Sequence, residues 1–226
     1  LKRKGEFFSG NLFEDEKVRL MNTKSSRIVL ASNNQGKLEE FKEFFADLHL
    51  VFLPQSDLGV EEVEETGLTF VENAIIKARH AAKHTNLPAL ADDSGIEVDA
   101  LQGAPGVFSA RYAAPQANAV NNRQKVLREM QKTPLEKRSA RFQCVLVYLR
   151  FAEDPSPIIC QGTWEGHILF EERGEYGFGY DPIFFDPRHQ CSAAELDMSI
   201  KNKISHRAKA VAQLLEKLSM EFSIPQ

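Results

Sequence analysis

The sequence predicts an α/β fold, a mixed twisted sheet with flanking helices, from three observations. Short apolar runs rich in β-branched residues alternate with segments whose apolar residues recur at helical spacing. A helix start is written at Thr69, with Glu72 three residues on. Two long strand segments, Ser139 to Phe151 and Ile158 to Phe170, follow one another. At 226 residues and 42% hydrophobic content, the chain can bury one sizeable core or two small lobes around a cleft.

In chain order, residues 1–25 stand apart. They mix charges with Phe7, Phe8 and Phe13 and show no signal-peptide apolar core, so an extension outside the folded domain, 26–226, is expected. Ile28 to Ala31 then form a strand, Ser32 to Gly36 a polar loop, and Lys37 to Leu48 a helix with Leu38, Phe41, Phe44 and Phe45 on one face. Free N–H groups and the helix dipole make such a junction an anion site, and Lys37 adds a full charge. It is no Walker A loop, because Ala31 and Leu38 stand where that loop needs glycine and Ser or Thr. A Gly-Lys pair also serves plain helix initiation.

The acids Glu61, Glu62, Glu64 and Glu65 precede the helix that Thr69 and Glu72 cap, whose apolar stripe (Phe70, Ala74, Ile75, Ala78, Ala82) reaches His84. They are a solvated charge run or, beside another carboxylate, a metal site. That carboxylate is offered by Asp92 and Asp93, delivered at the end of a short buried strand, Pro88 to Ala91. Burying both costs several kcal/mol unless a cation or donors receive them. Ser94 and Gly95 read as a turn and Ile96 to Leu101 as a second strand, broken at Gly103, Pro105 and Gly106 before Ser109, Ala110 and Arg111. Asp-Asp-Ser-Gly is equally ordinary turn chemistry.

A helix over 115–132 leads to the two long strands. In Gly177-Phe-Gly-Tyr-Asp181, the glycines permit close backbone approach, Phe178 and Tyr180 offer faces for a base, and Pro182 argues against a dinucleotide fingerprint. A tight turn before a core strand, Ile183 to Phe185, is the structural alternative. Ser205 caps a last helix carrying Ala208, Val211, Leu214, Leu215 and Leu218. His206 and Arg207 fall in its first turn, where the dipole disfavours cations, so with Lys201 they are expected to meet an anion.

A net charge of −4 gives no general affinity for nucleic acid or an anionic membrane, and the basic residues are dispersed. A small anionic ligand held by local cations is the better expectation. Cys144, Cys160 and Cys191 fit neither a zinc site nor a disulfide framework, which suits a reducing cytoplasm. No apolar stretch approaches membrane-spanning length.

Taken in order, SNNQGK, EETGLTFVENA, ADDSG, GAPGVFSARYA, GFGYDPIFF and SHRAKA make the span from Arg27 to Leu218 resemble the inosine triphosphate pyrophosphatase-like family. The resemblance implies two lobes around a central substrate cleft and hydrolysis of abnormal purine nucleoside triphosphates (XTP, ITP, dITP) to monophosphate and pyrophosphate. It implies that Ser32, Asn33, Asn34, Gln35, Gly36 and Lys37 hold the triphosphate, and that Glu65 and Asp93 bind Mg2+. Asp93 would also activate water, and Ser94 would contact substrate. Phe178, Gly179, Tyr180, Asp181, Lys201, His206 and Arg207 would bind the nucleotide around its base, with Lys37 and Lys201 offsetting charge. The family is typically homodimeric, and the cytoplasmic location expected here rests on the cysteines. Asn33 departs from a glycine common at this point, a place where asparagine tolerates left-handed backbone. A nucleotide sensor without catalysis, and a pyrophosphatase for modified pyrimidine nucleotides, are the rival readings.

Overall fold

The computed structural model describes residues 27–46 and 50–222; the expected N-terminal extension lies outside them, and the helix expected from Lys37 to Leu48 runs instead from Gln35 to Phe44, with Asn34 and Phe45 as its caps. Among these residues seven strands form one sheet: β1 (Arg27–Leu30), β2 (Val51–Pro54), β3 (Ala89–Val98), β4 (Ser139–Leu149), β5 (Ile158–Ile168), β6 (Phe184–Asp186) and β7 (Cys191–Ser192). Their order is β2-β1-β3-β4-β5-β6-β7. β1 runs parallel to β2 and β3, and every pair from β3 onward is antiparallel. The sheet is therefore mixed. The helices are α1 (Gln35–Phe44), α2 (Phe70–Thr85), α3 (Ala119–Glu129), α4 (Met198–Ile204) and α5 (His206–Phe222).

Period-two alternation sorts the core onto two faces. Leu90, Cys144, Leu146 and Tyr148 pack with Leu38 and Phe41 of α1 and Val211 and Leu214 of α5. Their neighbours Ala89, Ala91, Val145 and Val147 pack with Ala74, Ala78, Ala81 and Ala82 of α2. Small residues there let α2 lie close to the strands. A third group, including Ile96, Phe142, Trp164, Tyr180 and Phe184, fills the far half of the sheet against Val126 of α3.

Several predicted elements match closely. α2 carries the complete Thr69–Glu72 capping box, a device whose loss typically costs about 1 kcal/mol. β4 and β5 fall within two residues of expectation. Ser205 caps α5 by accepting the Ala208 N–H at 3.1 Å.

The turn expected at Ser94-Gly95 is absent, and β3 runs unbroken from Ala89 to Val98. All ten residues pair with β4, Ser94 opposite Cys144 and Gly95 opposite Gln143, so the ladder overrides local turn preference. Strand geometry also stops at Val98: Asp99 to Leu101 curl into a 3-10 turn rather than extending the strand to Leu101. The helix expected over 115–132 shortens to α3, because Asn118 caps it by accepting the Asn121 N–H at 2.8 Å. Ile183 belongs to a 3-10 turn before β6 rather than to the strand. β7 and α4 carry too little periodicity to have been read from the sequence.

Candidate active site

Asp92 and Asp93 are consecutive on β3, so their side chains point to opposite faces of the sheet. That alternation builds two different ion clusters from one dipeptide.

On the α1/α5 side Asp92 is 1% exposed. Its carboxylate pairs with Lys37 and accepts from Arg207 Nε at 2.8 Å, from the Ser94 hydroxyl at 2.8 Å and from the Cys144 thiol at 3.2 Å. Arg207 also pairs with Glu40 and donates to Ser94 Oγ at 3.0 Å. Lys201 Nζ continues the chain to Glu40 at 2.9 Å and Asp181 at 2.7 Å. Three cations thus face three carboxylates. Burial alone would raise Asp92, but Arg207 and Lys37 outweigh it and hold the carboxyl well below its ordinary range. Burial and the Asp92 charge push the Cys144 thiol well up, so it stays protonated as a donor.

The anion that Arg207 was expected to meet is therefore internal, supplied by Asp92 and Glu40. His206 is a clearer correction. It is not a cation: burial, reinforced by Arg207 and Lys201, lowers it well below the ordinary imidazole value. Its ring stacks on Phe142 with centroids 4.7 Å apart, and Nδ1 has no partner among the described residues. Lys201, at 2% exposure and paired twice, is likewise no free counter-charge for phosphate.

On the α2 side the arrangement is looser. Lys77 Nζ donates to Asp93 Oδ1 at 2.6 Å, Glu65 Oε1 at 2.8 Å and the Asp92 carbonyl at 2.9 Å. Arg111 Nη1 donates to the other Glu65 oxygen at 2.9 Å. Glu65 is set in place by the loop that follows it, whose Gly67 N–H donates to Asn73 of α2 at 2.8 Å. Burial would raise Glu65, but Lys77 and then Arg111 bring it down to about 2. Asp93 goes the other way: burial raises it, and Lys77 and Lys37 offset only part. Two carboxyls sharing one ammonium thus divide, Glu65 lowered and Asp93 raised.

The Mg2+ implied by the sequence can be tested against this donor set. Glu65 and Asp93 converge on Lys77 Nζ, and Asp93 Oδ2 is buried without a hydrogen-bond partner among the described residues. Hard carboxylate oxygens suit magnesium, so the residues fit. Among the described residues no group of three or more His, Cys, Asp or Glu side chains forms a metal cluster, and magnesium commonly completes its shell with substrate phosphates and water.

The loop after β1 is held from several sides. Asn34 caps α1 by accepting the Lys37 N–H at 3.1 Å, Ser32 Oγ accepts the Asn34 N–H at 3.2 Å, and Gln55 donates to Asn33 at 3.2 Å. Asn33 does not need left-handed backbone. Across from the loop, Gly177 and Gly179 take φ of +74° and +59°, which glycine adopts freely, and throw Phe178 forward. Gly36 accommodates that ring: a Cβ there would lie 2.6 Å from it.

Two cavities result. One, of about 420 Å³, is lined by Phe178, Tyr180, Phe142, His206, Arg207 and Ser94 among others, and the second, of about 490 Å³, by Ser32, Asn33, Glu62, Glu64, Glu65, Lys77 and Arg111. They share Asn34, Lys37 and Ala110. Every site residue expected from the sequence except Asp93 lines one of them, and Asp93 is tied to both Lys37 and Lys77. Sequence reasoning missed Lys77, Arg111 and Glu40. Lys77 and Glu40 each sit on an amphipathic helix, where a charged residue looks like surface; Arg111 carried a signal, ending a run of Gly and Pro beside the acidic strand.

A mixed α/β sheet carrying charged residues from both faces of one strand, beside a two-chambered polar and aromatic pocket, defines a nucleotide-sized ligand-handling protein. The Ham1 family model matches residues 28–217, and the chain belongs to the Ham1 family. It is 54% identical over 195 residues to the dITP/XTP pyrophosphatase of Vibrio parahaemolyticus, covering 86% of this chain and 98% of the relative. It is 58% identical over 191 residues to that of Xanthomonas oryzae pv. oryzae, covering 84% and 96%. Among solved structures, a HAM1 protein from Coxiella burnetii superposes with a TM-score of 0.80 at 55% identity, covering 86% of this chain and 98% of that one.

Proposed function

We propose that the protein hydrolyses purine nucleoside triphosphates with abnormal bases, ITP, dITP and XTP, to the monophosphate and pyrophosphate. The observation that carries this reading is the pair of cavities joined at Asn34 and Lys37: an aromatic chamber for a base, and a chamber of carboxylates and cations for a polyphosphate. The similarity to dITP/XTP pyrophosphatases supports it.

In the reaction, water attacks the α-phosphorus, the new P–O bond forms as the bond to the bridging oxygen breaks, and pyrophosphate leaves with the electron pair. Asp93, raised by burial, takes the proton of the attacking water. Glu65 and Asp93 would hold Mg2+, which when bound neutralises phosphate charge and acidifies water. Lys77 keeps the two carboxylates together and, with Lys37, puts positive charge beside the phosphates. The enzyme works as a cytoplasmic homodimer in this reading, with residues 26–226 as the catalytic domain.

Base choice follows from hydrogen bonding. A 6-oxo purine presents an acceptor where adenine presents a donor, and the turn of Ser205, His206 and Arg207 supplies donors, including the unpartnered ring of neutral His206. An unpaired buried polar group costs roughly 1 to 3 kcal/mol, so adenine is rejected there. Guanine shares the 6-oxo group, and its exclusion falls to the 2-amino group, which loses water without gaining an acceptor. Incubation with ITP and Mg2+ should release IMP and pyrophosphate, separated by ion-exchange chromatography. IDP and orthophosphate as first products would overturn the reading.

A further inference from the structure

Helix α3 grips both walls of the aromatic chamber through adjacent residues. Asn122 accepts the Ala113 N–H at 2.7 Å and donates to the carbonyls of Ser109 at 3.2 Å and Ala110 at 3.0 Å, fixing one wall. Arg123 reaches the opposite one. Its Nε and Nη2 donate to Glu172 Oε2 at 3.0 and 2.9 Å, and its Nη1 donates to the Gly179 carbonyl at 3.0 Å. Gln124 adds a bond to the other Glu172 oxygen at 2.8 Å. The Arg123 side chain is only 12% exposed, so this fork is largely withdrawn from water.

The Gly179 carbonyl lies one residue past Phe178, in a turn with little stiffness of its own because both flanking glycines are left-handed. Asp181 anchors the other side of the turn by accepting the Phe178 N–H at 2.8 Å while bound to Lys201. Resting on the function proposed above, we infer that Arg123 is a positioning residue for the nucleobase: anchored by Glu172, it fixes the Gly179 peptide and so the angle of the Phe178 ring against Gly36. The ring need not then be ordered by the substrate, a cost otherwise subtracted from base affinity. Glu65 and Lys77 line the other chamber, Asp93 is bonded to Lys77, and none of the three depends on this clamp.

The two ends can be separated by kinetics on the full chain with ITP and Mg2+, using inorganic tripolyphosphate as a competitive inhibitor. Arg123→Leu should raise KM about tenfold with kcat within about twofold of wild type, as loss of a charge-assisted bond that serves binding alone implies. The Ki of tripolyphosphate should stay unchanged. Arg123→Lys keeps the charge without the planar fork and should fall between Arg123→Leu and wild type. Glu172→Gln, which disturbs the anchor least, should move KM the same way by less, and it decides the question by the same criteria should Arg123→Leu fail to fold. An unchanged KM, or a Ki that rises in step with KM, overturns the positioning role. Should the wild-type protein release no pyrophosphate from ITP, the proposed reaction itself fails. Calorimetric affinities for IMP and for tripolyphosphate then decide the clamp separately, with IMP alone weakened if it holds and both equally affected or neither if it does not.

Discussion

Asp92 and Asp93 share a backbone, a depth and a residue type, yet the two faces of β3 treat them oppositely. Asp92 ends in a set of matched charges where every acid has a cation and the acids themselves are buried. Asp93 ends beside a second carboxylate, sharing one lysine with it, and keeps an oxygen with no partner. A balanced buried cluster fixes geometry, since removing any member strands a charge. An unbalanced one stores a reason to bind a cation or accept a proton. In the proposed reaction the Asp92 face holds the shape of the site and the Asp93 face carries the chemistry.

The assignment breaks most visibly at Asp93. Asp93→Asn removes the proton acceptor and one carboxylate from the metal set while keeping size and one hydrogen-bonding oxygen, so kcat should fall by at least about a hundredfold. Thermal unfolding should shift little by comparison. Near-normal turnover, measured as pyrophosphate release, would end the catalytic reading of this face. Lys77→Met should also cut kcat, and it should raise the Glu65 carboxyl from about 2, because its largest opposing charge is gone. The acid limb of kcat/KM would then move to higher pH.

The same comparison predicts the reverse balance at Glu40. Glu40→Gln leaves Arg207 and Lys201 buried with one shared anion fewer, and breaking buried pairs of this kind costs about 3 kcal/mol or more. Urea unfolding should register that loss, while kcat of the folded fraction falls far less than in Asp93→Asn. Equal stability of Glu40→Gln and wild type would mean the cluster is not the scaffold described here.

Much of this was legible in the chain because the site is made of short contiguous stretches. The cap at Thr69 and the glycines around Phe178 announce local geometry and stand where they were expected, and the polar loop after the first strand does so but for Gln35 and Gly36, which the helix takes. What stayed hidden is what only the ladder decides. Ser94-Gly95 has turn chemistry, and nothing local says that ten pairings with β4 will straighten it. The opposite destinations of Asp92 and Asp93 follow from that same straightness. Lys77 and Glu40 were invisible for a related reason: on their helices they have the spacing of solvated charges, and only tertiary packing reveals their partners, 12 and 16 residues away for Lys77 and as far as 167 for Glu40.

The smallest expected effect sharpens the boundary between the clusters, where His206 touches both the base chamber and the charge network. Its imidazole is held neutral first by burial and then by Arg207 and Lys201, with Lys37 adding to them and Asp92 opposing. In the unfolded chain the same ring titrates near 6.5. The folded state therefore binds fewer protons than the unfolded one below that value, so this contribution to stability is complete above about pH 6.5 and is lost as pH falls towards the folded pKa. The depressed carboxyls Asp92, Glu40 and Glu65 lose their contributions only below about pH 4.5, while Asp93 and Asp181, raised by burial, contribute alike to variant and wild type. His167 is also lowered and contributes over the same pH range as His206, so a difference between proteins is needed. His206→Phe keeps the stack on Phe142 and removes the proton. Unfolding free energies from urea titrations at pH 7, 6 and 5 should fall less steeply in the variant, by up to about 1.4 kcal/mol per pH unit for one proton. Parallel slopes in the two proteins would show that His206 binds its proton equally in the folded and the unfolded chain, so that the fold does not hold the imidazole neutral.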